Sequence, residues 1–163
     1  MGMQAVYMLA DKATMDKLSN DELFENIEDY GDEETTETCD IDKMWDGLHF
    51  LLTGASAENP IEGNPLSEAI VGEKDFDCDD FIAYTEPSRI SSIVDALDKV
   101  DIEALIAQID FSKFKQAEIY PNIWENEDEE EEIKDDLKES FLRLKAFYQQ
   151  ALDGQTGVIA TIY

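Results

Sequence analysis

The sequence predicts an α/β chain of the α+β kind: a small mixed sheet that includes an N-terminal and a C-terminal strand, packed by several helices, with one long C-terminal helix. Three observations predict it. Strand-length apolar runs stand at residues 5–9 (Ala-Val-Tyr-Met-Leu) and 158–162 (Val-Ile-Ala-Thr-Ile), with a third at 81–84 (Phe-Ile-Ala-Tyr). Between them apolar residues recur every three or four positions, the period of a helix with one buried face. The longest such stripe is Ile133, Leu137, Phe141, Leu144, Tyr148 and Ala151, ended by Gly154. No repeat or boundary interrupts the chain, and 163 residues is the size of one domain, so residues 1–163 are expected to form a single domain with a real core.

After the first strand, Asp11 is placed to cap a helix carrying Met15 and Leu18. A second short helix over residues 21–27 sets Leu23, Phe24 and Ile27 on one side. Residues 28–40 are acidic and read as a mobile loop. The central helix is expected over residues 40–54. Asp40 would cap it, Asp42 would suit the positive end of its dipole, and Gly54 would take the left-handed position at its end. Ile41, Met44, Trp45, Leu48 and Leu52 form its apolar face, widened by Phe50 and Leu51. Asp42, Asp46, His49 and Thr53 form a polar stripe on the same helix, and His49 is the one histidine of the chain.

The next loop, residues 55–65, is marked by Asn59-Pro60 and Gly63-Asn64-Pro65. A short helix or turn follows over residues 66–70, ended by Gly72. Beyond the acidic loop at 75–80 and the middle strand, Pro87 ends the strand and Ser88 is placed to cap a helix with Ile90, Val94 and Leu97. Asp101 caps another, with Ile102, Leu105, Ile106 and Ile109, and residues 111–118 form a further short helix. Asn126 with Glu129 three residues on has the pattern of a capping box for the long helix.

Four pieces carry a family resemblance. Residues 42–54 (Asp-Lys-Met-Trp-Asp-Gly-Leu-His-Phe-Leu-Leu-Thr-Gly) stand at its centre. Met1-Gly2-Met3 precedes a short strand, and residues 64–73 (Asn-Pro-Leu-Ser-Glu-Ala-Ile-Val-Gly-Glu) follow the helix. Glu118-Ile119-Tyr120-Pro121 precedes the long helix and the final strand. In this order the four pieces resemble the YfbM-like family, a bacterial domain of unknown function. The resemblance covers essentially the whole chain. It implies a single cytoplasmic α/β domain and no particular reaction.

Composition excludes more than it selects. Asp plus Glu number 40 against 12 Lys plus Arg, a net charge of −28. Nucleic acid and anionic membrane surfaces both require a positive face, so neither is an expected partner. A basic protein, or a cation, is the partner such a field attracts, although solubility alone would also explain the charge. Cys39 and Cys78 have neither paired nor zinc-ligand spacing and are expected as free thiols of a reducing cytoplasm. The first ten residues lack the basic flank of a signal peptide, and no apolar run approaches the roughly 20 residues of a membrane span.

Two constellations could carry chemistry. Asp46 and His49 lie one turn apart, and a carboxylate beside an imidazole raises its pKa and orients it as a general base. The plainer alternative is an interior histidine donating to a nearby acceptor. Glu118 and Tyr120 join them as candidate catalytic residues, with Trp45 and Trp124 as candidate ligand-binding walls, although aromatics at helical spacing more often fill a core. The second constellation is Asp75, Asp77, Asp79 and Glu86, which match the acidic positions of a calcium-binding loop. Asp80 stands where that loop needs glycine for its sharp turn, and strand and proline flanks replace the helices, so no metal and no cofactor is expected.

Two functions follow. One is an acidic protein-interaction module, such as an inhibitor or immunity-type partner of a basic protein. The other is a small-ligand-binding protein or enzyme with a pocket around Asp46, His49, Glu118 and Tyr120.

Overall fold

The computed structural model describes residues 3–10, 38–75 and 81–162. The central strands of its sheet come from opposite ends of the chain. Strand β1 (Ala5–Ala10) pairs with β5 (Gly157–Ile162) along its whole length, Ala5 opposite Ile162 and Ala10 opposite Gly157. Strand β2 (Thr38–Asp42) flanks β1, and β4 (Phe81–Thr85) flanks β5 on the other side. The two-residue β3 (Lys74–Asp75) follows β4, giving the order β2-β1-β5-β4-β3. The α+β class is as expected, but the sheet is antiparallel in all four pairings rather than mixed. Apolar runs identify strands without stating the direction of their partners, which is set by how intervening helices return the chain.

The described residues form six α-helices: α1 (Trp45–Thr53), α2 (Pro65–Val71), α3 (Pro87–Asp98), α4 (Ile102–Ala107), α5 (Phe111–Gln116) and α6 (Glu130–Gly154); α3 and α6 lie against the sheet, and α1, α2 and α4 pack on neighbouring helices. Every member of the stripe predicted on α6 is buried, together with Ser140 and Phe147. Helix α3 sets Ile90, Ile93, Val94 and Leu97 against the same core. The cap expected from Asp101 forms, its carboxylate accepting from the Ala104 N–H. Pro87 occupies the first turn of α3, where its missing N–H costs nothing, and Glu86 rather than Ser88 holds the cap position.

Several boundaries differ from expectation: the helix expected over residues 111–118 ends at Gln116, and Asp75, expected in a loop, lies in β3. The central helix begins at Trp45, not at Asp40: residues 38–42 form β2, with Cys39 and Ile41 buried and their neighbours exposed. Ile41 satisfies both a strand alternation and the helical stripe, and β1 supplies the backbone partners that decide for the strand. Asp42 then turns the chain in a left-handed conformation, φ 50°. Asn126 does not cap α6; its side chain makes no capping bond, and a 3-10 turn over Glu127–Glu129 leads into the helix. At the far end Gly154 is still helical, and Gln155 takes the left-handed position, φ 56°. The helices expected over residues 11–27 and the acidic stretches at 28–37 and 76–80 lie outside the described residues.

Candidate functional site

Helix α1 is too short to stand alone, and its side chains tie it to four distant segments. Trp45 stacks on Tyr120, ring centroids 5.4 Å apart at 25°, and donates its indole N–H to the Met3 carbonyl at 3.0 Å. The Met3 N–H in turn donates to the Tyr120 hydroxyl at 2.7 Å. On another side Gly47 admits Trp124. A Cβ at this position would lie 2.6 Å from the Trp124 ring, so glycine is what lets the indole rest on the helix. Trp124 is also packed by Phe111 and Phe114 and donates to the Ile119 carbonyl at 2.7 Å. Gly54 closes the helix in the expected left-handed conformation, its N–H donating to the Phe50 carbonyl.

Asp46 is buried and accepts three hydrogen bonds. Its Oδ1 takes the Ala57 N–H at 2.7 Å and the Ser56 hydroxyl at 3.0 Å, and its Oδ2 takes the Tyr120 N–H at 2.8 Å. One carboxylate thus satisfies two backbone amides that neither helix nor sheet supplies with partners, and those donors offset its own desolvation.

His49 is fully buried one turn further on. Its Nδ1 lies 2.6 Å from the Ala55 carbonyl, which can only accept, so Nδ1 carries the proton. Nε2 is then an acceptor, and the Ser67 hydroxyl donates to it at 2.8 Å. Ser67 Oγ also accepts the Ile61 N–H at 3.0 Å. Burial holds the imidazole below its ordinary pKa, against the opposing pull of the Ala55 carbonyl and of Asp46. No hydrogen bond joins Asp46 to His49. They grip neighbouring points of the loop at residues 55–61, and His49 reaches through Ser67 to α2.

The other candidates separate in space. Tyr120 is half-buried against Trp45 and Asp46, whereas Glu118 is exposed in a left-handed conformation, φ 54°, just before it. Trp45 and Trp124 are both buried; Trp45 is enclosed by packing contacts, whereas Trp124 also borders a surface hollow between α5 and the start of α6. Glu86 pairs with Lys74 at 3.0 Å and donates its N–H to Glu73, Asp75 ends β3, and Asp77 and Asp79 lie outside the described residues.

Several partners were not singled out from sequence. Ser67 is one. Glu68, beside it, receives both Arg89 Nε and a terminal guanidinium nitrogen at 2.7 Å. The hydroxyls of Tyr7 and Tyr148 donate to the Ile70 and Ala69 carbonyls, which a seven-residue helix cannot satisfy at its own carboxyl end. The only signal was positional: Ser67, Glu68, Ala69 and Ile70 all lie in the segment at 64–73 that carries part of the resemblance.

All four resembling pieces therefore meet at one place, through Met3, α1, Ser67 and Tyr120. A family model described as a domain of unknown function (DUF1877) matches residues 1–161. The chain belongs to the DUF1877 family. The protein YfbM of Escherichia coli strain K12 is 33% identical over 115 residues, 69% of each chain. The crystal structure of YfbM from Escherichia coli, described as a protein of unknown function, superposes with a TM-score of 0.83. That match has 28% identity and covers 98% of this chain and 99% of that one. The DUF1877 likeness thus extends from the signature helix to the whole fold, and it assigns no reaction.

Surface hollows bounded by described residues alone lie elsewhere. One of about 460 Å³ sits between α5 and the start of α6, and a second of about 380 Å³ lies between α4 and α6. Acid surrounds them. From Glu125 to Asp136 the carboxylates are exposed except that of Glu130, which is half-exposed. On the opposite side of α6, partial desolvation and then the neighbouring Glu139, Asp135 and Asp42 hold the Asp136 carboxyl above its ordinary pKa. No helix among the described residues is long and apolar enough to cross a membrane.

Proposed function

We propose that this DUF1877 protein is a protein-interaction module whose partner is a basic protein, of the inhibitor or immunity kind. The observation that supports it most directly is the exposed acid on the amino half of α6, where Asp42 from β2 adds to Asp135, Asp136 and Glu139. Such a field draws a basic partner in and speeds its encounter. The test is capture of binding proteins at low salt followed by elution at high salt, with wild type and a Glu129→Gln, Glu131→Gln, Glu132→Gln variant. A basic protein held stoichiometrically by wild type, eluted by salt and associating more slowly with the variant is expected. A partner indifferent to both salt and the variant would overturn the proposal.

One observation favours the second function, a ligand or catalytic site at Asp46, His49, Glu118 and Tyr120: the Ser67 hydroxyl donates to His49 Nε2, the contact that activates a serine nucleophile. Ser67 and His49 are both buried, and the loop at residues 55–64 would have to lift for either to meet a substrate. Labelling of Ser67 by a fluorophosphonate, abolished by His49→Gln, would support this site; an unlabelled wild-type protein would refute it.

A further inference from the structure

We infer that the groove between α4, α5 and the amino half of α6 is a docking site for a lysine- and arginine-bearing segment of a basic protein. This inference rests on the proposed interaction role and gives it a location. The two hollows described above lie side by side along α6, with Lys134 lining both. Each lysine lining them already has an acidic partner: Lys115 pairs with Glu125, Lys134 with Glu131 at 3.5 Å, and Lys138 with Glu103 at 3.1 Å. Glu127, Glu130 and Asp135 also line the groove and form no salt bridge among the described residues, whereas Asp110, at its edge, is held by Ser112 with Lys113 nearby.

The lining is not only acidic. Ile109, Phe111 and Trp124 contribute to the larger hollow, and Ile106 to the smaller. Lysine and arginine side chains match this combination, since their alkyl stems cover apolar surface while their charged ends reach carboxylates. The alternatives fit less well. A single metal ion would leave most of 460 Å³ unfilled. A second copy of the chain would bring another net charge of −28 against the acid. Nucleic acid would be repelled.

A fluorescein-labelled hexa-arginine peptide is the probe, read by anisotropy at about 50 mM salt and by amide chemical shifts. Two double variants remove equal charge: Glu127→Gln with Glu130→Gln in the groove, and Glu58→Gln with Glu62→Gln on the exposed loop after α1, which lines neither hollow. The groove pair should weaken binding by about fivefold and the distant pair by less than about twofold. The shifts should concentrate at Ser112, Lys115 and Lys134. Equal weakening by both pairs would overturn the groove while leaving the interaction role standing, because a diffuse field would then suffice. Absence of saturable binding to wild type would also overturn the groove, and the salt-elution test would then judge the interaction role separately.

Discussion

Gly47 shows how little room a residue in the signature helix has. Alanine is a better helix former than glycine by roughly 1 kcal/mol, so an open site would gain stability from Gly47→Ala. Here the new methyl meets the Trp124 ring at 2.6 Å. Overpacking of this kind costs about 1–3 kcal/mol, so the urea midpoint should fall and the Trp124 emission should change. A raised midpoint would show that the indole moves aside freely. His49 makes the second prediction at this scale. Its folded pKa lies below its unfolded value of about 6.5, so the folded state binds fewer protons as the pH drops. Its contribution is complete above about pH 6.5 and is lost as the pH falls toward and through the depressed folded pKa. Unfolding free energy measured from about pH 7.5 to about pH 5 should therefore decline more steeply for wild type than for His49→Gln. Parallel curves would mean that His49 charges without cost in the fold.

At the scale of elements, the carboxyl ends of α2 and α6 are each finished by something unexpected. Helix α2 relies on two tyrosines from elsewhere in the chain, and burial raises the pKa of both hydroxyls, keeping them as donors. Tyr148→Phe removes the hydroxyl while keeping the ring, leaving the buried Ala69 carbonyl without this donor. It should cost about 1–3 kcal/mol, with faster hydrogen exchange in α2 than in α3. Uniform exchange across both helices would show that the bond is not local to α2. Helix α6 ends on Gln155 in a left-handed conformation that glycine adopts without penalty. Gln155→Gly should therefore stabilise the protein by about 1 kcal/mol, read as a higher urea midpoint. A lower midpoint would mean that the glutamine side chain contributes more than its backbone costs.

Across the whole molecule, like charge dominates. The described ion pairs are mostly exposed, and only Glu68 with Arg89 is substantially buried on its acidic side. Exposed pairs contribute little each, whereas the net charge of −28 repels itself throughout the fold. Raising the salt shortens the Debye length from about 10 Å at 0.1 M to about 3 Å at 1 M, which weakens the repulsion more than the few attractions. The melting temperature should rise with sodium chloride over that range. A fall would show that the ion pairs outweigh the repulsion.

Local patterns determined a good part of this fold. The α6 stripe, the Asp101 cap, the left-handed Gly54 and the presence of strands at both ends and the middle were all legible. Each depends on residues within one or two turns of one another, and hydrophobic period and capping chemistry are local. The four resembling segments were legible too, although not that they would meet. Tertiary structure decided the rest. Ile41 fits a helix stripe and a strand alternation equally, and only the presence of β1 beside it settles the choice. Asp46 and His49 have the spacing of an acid–imidazole pair, yet each bonds a different part of the loop after α1, and His49 also bonds Ser67. Which buried amide or carbonyl lacks a partner depends on where distant segments come to rest. A polar side chain answers that need, so its partner cannot be read from its own neighbours in sequence.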